Sequence, residues 1–434
     1  MRKNKYYNKK YAHFDIRKNY RDYKSYIENP KRIKSHGFYP FLKYDINFVK
    51  YGLKDINREK KEKNTKTRKI MYSAHIDRYI YKYYSEMLNE EYNKKVLEYK
   101  INDVSIAYRN NMQGKSSINF AKEVIDFICN QKECYIYVGD FEKFFDNLNH
   151  EYLKKELKDL LNCERLSDDH FAVYRSITQY SYVELKSIEK YLGKSREKLN
   201  KKYIDSKLFT TSEFKKIKKY YLKRNKDKIG IPQGASISSV YANIYMMEID
   251  RKINLYVNKY GGIYRRYCDD FIVVIPNDGS SVIHHKEYID ATIGSVDNLA
   301  ISEDKTYQYI YKNKKLSFEK EDNMVLDYLG FEFDGENIKL REKSVTKFYY
   351  RLHRKINMAN KRTIENNKNS LRRSLYKNYS HLGAKPNKKH IGNFITYASK
   401  AQKIFDENTN IKNYMDKQVK KHWKIINKRI IKKI

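Results

Sequence analysis

The sequence predicts an α+β fold flanked by helical, basic segments, and three observations carry that expectation. Apolar, β-branched runs alternate with amphipathic helical patterns through the middle of the chain. After about residue 343 only helical, basic patterning remains. Charge divides the chain in the same places. Residues 1–70 hold 22 Lys and Arg against 7 Asp and Glu, residues 341–434 hold 26 against 5, and residues 71–340 hold 43 against 41. Compositional bias alone would spread charge evenly, so a nearly neutral body between basic ends points to a polyanionic partner such as nucleic acid. The expected organisation is a basic N-terminal extension at 1–70, a body at 71–343 with a mostly helical insertion at 163–228, and a basic helical region at 344–434.

The elements follow in chain order. "REKKEKNTKTRK" (58–69) reads as a charged linker or an exposed helix. Ile76, Tyr79, Ile80, Tyr83, Met87, Leu88 and Tyr92 recur at helical spacing over 76–98, and Ile118, Ala121, Ile125 and Ile128 do so over 117–130. "CYIYVGDF" (134–141) reads as a buried strand ending at Asp140, and "NHEYLKKELKDLL" (149–161) as a helix with Asn149 as its N-cap. "GIPQGASISS" (230–239) is a Gly/Pro loop that feeds the helix "VYANIYMMEIDRKI". A strand, a turn and a strand surround Asp269 and Asp270, and a short strand pair lies near "LDYLGFEF" (326–333). The four cysteines, 129, 134, 163 and 268, form no CxxC pair and read as reduced thiols of a cytoplasmic protein. "MRKNKYYNKKY" has no apolar signal region and no stretch approaches 18 apolar residues, so no membrane partner is expected.

"RRYCDDFIVV" (265–274) sets two acids side by side where a strand enters the core. Like charges there cost repulsion and desolvation, so Arg265 and Arg266 or a metal ion should compensate. Side chains alternate along a strand, so adjacent acids converge only at a tight turn. If the strand ending at Asp140 is its neighbour, Asp140, Asp269 and Asp270 meet at one rim. Mg²⁺ uses such carboxylates together with substrate phosphates. A pair of ions would activate an attacking hydroxyl and stabilise a leaving pyrophosphate.

The succession "AYRNNMQGKSSINFA", "DFEKFFDNLNH", "GIPQGASISS", "RYCDDFIVV", "SEDKT" and "LGFEF" resembles the ordered motifs of reverse transcriptases over roughly residues 70–335. The resemblance implies a right-hand polymerase fold, with fingers and palm in the body and a thumb-like region in the basic tail. It implies an RNA-directed DNA polymerase that takes an RNA template, dNTPs and two Mg²⁺ ions (Mn²⁺ as a substitute) and yields a DNA product. Asp140 and Asp269 match the family's metal-binding aspartates, and Asp270 their supporting neighbour. Phe145 matches the bulky residue beneath the incoming sugar, Gln233 the nucleotide pocket, and Lys305 a proton donor to pyrophosphate. Arg109 and Lys115 suit the triphosphate, and Gly230 and Gly234 a close approach of backbone to template and nucleotide. Asp146 and His150 read as structural. "HIDRYIYKYYSEMLNEEY" and "NFITYASKAQKIF" further resemble bacterial defence-associated, abortive-infection enzymes, which implies an antiphage role, a non-coding RNA template and room for a homo-oligomer. Retron and intron-encoded enzymes, or an untemplated DNA polymerase of the same fold, are the alternatives. The chain lacks the "VTG" of the first and reads "GKS" and "YCDD" where the second usually has "GRS" and "YADD".

Overall fold

The computed structural model describes residues 6–53, 61–112, 114–277, 282–366, 371–383, 392–408 and 410–431. In chain order the strands are β1 Phe41–Leu53, β2 Lys61–Tyr72, β3 Glu133–Asp140, β4 Ser181–Glu184, β5 Lys223–Arg224, β6 Ile263–Tyr267, β7 Asp270–Pro276, β8 Tyr307–Lys312, β9 Lys315–Ser317, β10 Leu326–Tyr328, β11 Phe331–Phe333, β12 Asn337–Leu340 and β13 Lys412–Asn413. They form three sheets, ordered β2-β1-β4-β5, β6-β7-β3-β8-β9 and β10-β11-β12-β13.

The five-stranded sheet positions the site, and its sequence explains why. "CYIYV" and "FIVVI" are continuous apolar runs because both faces of the sheet are covered. With side chains alternating along each strand, Tyr135, Tyr137, Phe271, Val273 and Ile275 enter one core. There they meet Tyr264 and the helices His75–Glu98, Ser238–Tyr245 and Met247–Lys259. Cys134, Ile136, Ile272 and Val274 enter the other, against the helix Ser117–Cys129, the β10–β12 strands and the helix Phe394–Phe405. A one-residue slip of β7 would exchange these two sets, so packing fixes the register.

Helix starts lie within one residue of the expected positions, at His75, Ser117 and His150. The Asn149 side chain accepts from the backbone N–H of Glu151 and Tyr152 at 2.9 and 3.0 Å, which satisfies two otherwise orphaned donors. Two local expectations change. Residues 61–69 are strand, neither linker nor helix, because β2 pairs antiparallel with β1 from Leu42–Tyr72 to Leu53–Lys61; residues 58–60 lie outside the described residues. The helix expected over 240–253 breaks at Met246 into Ser238–Tyr245 and Met247–Lys259. Residues 163–228 are mostly helical, and their short strands β4 and β5 extend the β1–β2 sheet, β4 running parallel to β1 over Phe41–Lys43. Beyond the helix Glu342–Asn366 the regular elements among the described residues are helical apart from β13, and a small core gathers around Leu352, Ile356, Leu375, Ile426 and Ile430.

Candidate active site

β3 runs antiparallel to β7, with Asp140 opposite Asp270. The reversal between β6 and β7 occupies Cys268 and Asp269, with Cys268 at φ +64°. This left-handed residue turns the chain so that consecutive acids escape the alternation of a straight strand. The Phe141 N–H donates to the Asp269 carbonyl at 3.0 Å and ties the turn to the end of β3. Asp140, Asp269 and Asp270 therefore meet at one rim. Asp270 is exposed by surface area, yet the protein packed around it, then Asp269 and Asp140, push its carboxyl up to about 7. The rim is thus short of positive charge.

Lys305 supplies part of it. The Ser302 N–H donates to the Asp140 carbonyl at 2.8 Å, which holds the turn Glu303–Lys305 against the end of β3, and the Lys305 ammonium then pairs with the Asp140 carboxylate. Among the described residues no three acidic, His or Cys side chains form a ready cation cage. The donor set still fits a hard divalent cation, since all of it is carboxylate oxygen at an open rim and the lysine occupies the cationic position.

The arginines do not compensate the aspartate pair directly. Arg265 pairs with Glu123 on the helix Ser117–Cys129. Arg266 is fully buried and forks onto Asp250, with Nε to Oδ1 at 2.8 Å and Nη2 to Oδ2 at 2.7 Å. Burial opposes the charge on Arg266, but Asp250 at that range more than offsets it and holds the guanidinium ionised. From there Arg266 Nη1 donates to the Cys268 carbonyl at 2.9 Å, so a buried ion pair braces the acid turn from behind. Sequence reasoning missed this role; an arginine at an inward position of an apolar strand was the available signal. It missed Tyr108 too, which sits at φ +60° with its ring exposed beside Cys268 and Asp269.

Phe145 is half-buried against Phe144, ring centroids 5.6 Å apart, and its carbonyl accepts from the Ile231 N–H at 2.8 Å. That bond sets Phe145 beside the Gly230–Gly234 loop, where Gln233 is half-buried. His150 secures the loop, its Nε2 lying 2.8 Å from the Gly230 carbonyl. The two glycines also make close approaches within the protein itself. Gly234, at φ +125°, lies so near β2 that a Cβ would stand 2.2 Å from the Met71 carbonyl, and a Cβ on Gly230 would stand 2.8 Å from that of Asp146. Both glycines thus serve packing of the protein's own backbone.

Lys115 is exposed just ahead of the helix Ser117–Cys129. Arg109, expected to grip phosphate, is turned inward instead. It is buried, donates to Asn93 Oδ1 at 2.9 Å and Asn102 Oδ1 at 2.7 Å, and bonds the Asn102 carbonyl. Its fork is consumed by the loop it ties together, and burial lowers its pKa.

Compared with known families, residues 59–333 match the model described as reverse transcriptase (RNA-dependent DNA polymerase). The chain belongs to this family. The matched span holds all three aspartates, Lys305 and the Gly230–Gly234 loop. No curated protein matches the chain. Solved structures similar to this reverse transcriptase family member include telomerase from Candida albicans in complex with a TWJ fragment of telomeric RNA, at 14% identity, 94% of this chain, 66% of that chain and a TM-score of 0.43. Another is apo telomerase from Candida tropicalis, at 11% identity, 99% of this chain, 66% of that one and a TM-score of 0.42. The same apo telomerase truncated from its C-terminal domain aligns at 11% identity over 76% of this chain and 62% of that one, with a TM-score of 0.41. The chain spans less than two thirds of the length of these proteins. Among the described residues, no helix is long and apolar enough to cross a membrane.

Proposed function

We propose that the chain is an RNA-directed DNA polymerase that adds dNTPs to a DNA strand on an RNA template. The observation that carries this reading is the register of β3 on β7, which brings Asp140, Asp269 and Asp270 to one rim inside the segment that matches the family. Those carboxylates would hold Mg²⁺, as two ions with Mn²⁺ as a substitute, Asp270 supporting the other two. Bound there, the ions would supply positive charge to the attacking hydroxyl and the departing pyrophosphate.

The chain's own groups do the rest. The Lys305 ammonium neutralises Asp140 and stands at the rim to give a proton to pyrophosphate as it leaves. The Phe145 ring, braced by Phe144 and held next to the Gln233 loop, lies beneath the sugar and offers a 2′-hydroxyl no partner. Gln233 lines the base and sugar pocket. Lys115 meets the triphosphate as a point charge. The segments "HIDRYIYKYYSEMLNEEY" and "NFITYASKAQKIF" support a bacterial antiphage-defence setting, with a dedicated non-coding RNA copied in the cytoplasm.

The test is sequencing of nucleic acid copurified with wild-type and Asp269→Ala protein, paired with dNTP incorporation on an RNA template. The expected result is one dominant RNA in both samples and its complementary DNA with wild type alone. Incorporation by Asp269→Ala at near wild-type rate would remove the carboxylate reading. DNA complementary to no copurified RNA would replace templated copying with untemplated addition.

A further inference from the structure

A groove of about 1510 Å³ lies away from the aspartate rim, and none of Asp140, Asp269, Asp270, Lys305, Phe145 or Gln233 lines it. One wall comes from residues 34–41, outside the span that matches the family, and the others from the helices His150–Leu160 and Asp168–Thr178 and the loop 224–228. Nine Lys and Arg side chains line it against three carboxylates. Residues 71–340 are close to neutral as a whole, so the groove is more basic than the body it belongs to. Among the described residues Lys154, Arg175, Lys226 and Lys228 form no ion pair, and all four are exposed. Asp168 is already shared between Lys34 at 2.6 Å and Arg165 at 3.8 Å.

Aromatic rings are interleaved with these cations. Phe171 is 39% exposed, lies stacked near Tyr174 and has the Lys154 ammonium 5.4 Å above its ring. Phe38, Tyr39 and Tyr180 add apolar surface. The volume exceeds the roughly 300–1,000 Å³ of small-molecule sites. Unpaired cations for a backbone and ring faces for bases are what an unpaired strand requires. We infer that this groove is a second nucleic-acid site that holds a single strand outside the catalytic rim.

Its position gives the strand a route. The loop that forms one wall continues straight into Gly230–Gln233, and His150, whose N–H donates to the Lys228 carbonyl at 2.9 Å, anchors the two together. A strand leaving the groove would run along this loop toward Gln233. The inference goes beyond the polymerase reading and is tested by binding alone, without nucleotide incorporation, so either can fail alone.

The experiment is fluorescence anisotropy of the full-length protein with labelled U20 RNA, dT20 DNA and a 20-base-pair duplex across a salt series. For Lys154→Ala/Arg175→Ala, two lost phosphate contacts should flatten the single-strand log–log salt slope by about 1.4 units. Phe171→Ala should weaken single-strand binding roughly fivefold to tenfold, the low end for one stacked base because the ring is only partly exposed. The control Lys198→Ala/Lys201→Ala removes equal charge from an exposed helix outside the groove and should leave the slope unchanged. Equal loss with U20 and dT20 supports the site, and loss with one alone identifies its strand. Unchanged binding in both groove variants would make the charge a solvated surface. Equal effects on duplex binding, or displacement of U20 by micromolar free nucleotide, would overturn the assignment to a single strand.

Discussion

Arg266→Met is the sharpest probe of how the acid turn is held. Arg266 and Asp250 are both 0% exposed, and the substitution leaves the Asp250 carboxylate with the Tyr264 hydroxyl, which donates at 2.9 Å. Breaking a fully buried pair from one side costs about 3–5 kcal/mol, because the remaining charge keeps its desolvation penalty. The triple variant Arg266→Met/Asp250→Leu/Tyr264→Phe removes the stranded carboxylate and the hydroxyl that would lose its acceptor. Apolar replacement of buried pairs is often neutral or stabilising, so stability should return to within about 1 kcal/mol of wild type. Activity should not return. In both variants the Cys268 carbonyl loses its guanidinium donor, and a hydrogen bond to a charged group is worth about 1.5–3 kcal/mol, so dNTP incorporation should stay at least about tenfold low. Stability is read from the urea midpoint at constant m-value and incorporation from single-turnover rates on one RNA template. A cost below about 1 kcal/mol for the single variant would refute the buried-pair argument. Wild-type incorporation by the triple variant would show that the turn needs no brace.

Three further outcomes are expected. Phe145→Ala should keep dNTP incorporation measurable while raising GTP use relative to dGTP, read as kcat/KM on one template; a wild-type enzyme that already uses both equally would make Phe145 core packing alone. Lys347→Ala/Arg351→Ala/Arg354→Ala, three exposed cations on the helix Glu342–Asn366, should flatten the salt slope of duplex binding by about 2–3 units, whereas deleting the region would strip Phe394–Phe405 from the core and confound the result. His13 is fully buried, and burial lowers its pKa from 6.5 to about 4. Its unfolded form binds the proton more readily, so stability present above pH 6.5 is lost as pH falls toward 4. Between pH 7 and pH 5 the wild type should lose about 2 kcal/mol more than His13→Gln, measured from urea midpoints.

What could be read from the sequence follows the range of each interaction. The ends of the helices beginning at His75, Ser117 and His150 were legible because periodicity and caps act within a few residues. The meeting of Asp140 with Asp270 was legible conditionally, since two apolar runs each ending in acid make sense only as neighbours. The strand β2 was not legible: its charged sequence has no alternation, and strand identity comes from pairing with β1. The inward turn of Arg109 was hidden because its acceptors, Asn93, Asn102 and backbone carbonyls, converge only in the folded loop. The same holds for Gly234, whose neighbour is the Met71 carbonyl, more than 160 residues away in sequence.

The core shared by Ile272, Val274 and the helix Phe394–Phe405 has a consequence for synthesis. One face of the central sheet waits for a helix made more than 75 residues after the last sheet strand, β9. At about 5–20 residues per second, the ribosome takes on the order of 4–15 s to deliver it, far longer than collapse of the emerged chain. During that interval Ile136, Ile272 and Val274 are covered only as far as the Ser117–Cys129 helix and the β10–β12 strands reach. The nascent protein should accordingly be most dependent on chaperones, and most sensitive to translational pausing, while residues 341–393 are being made.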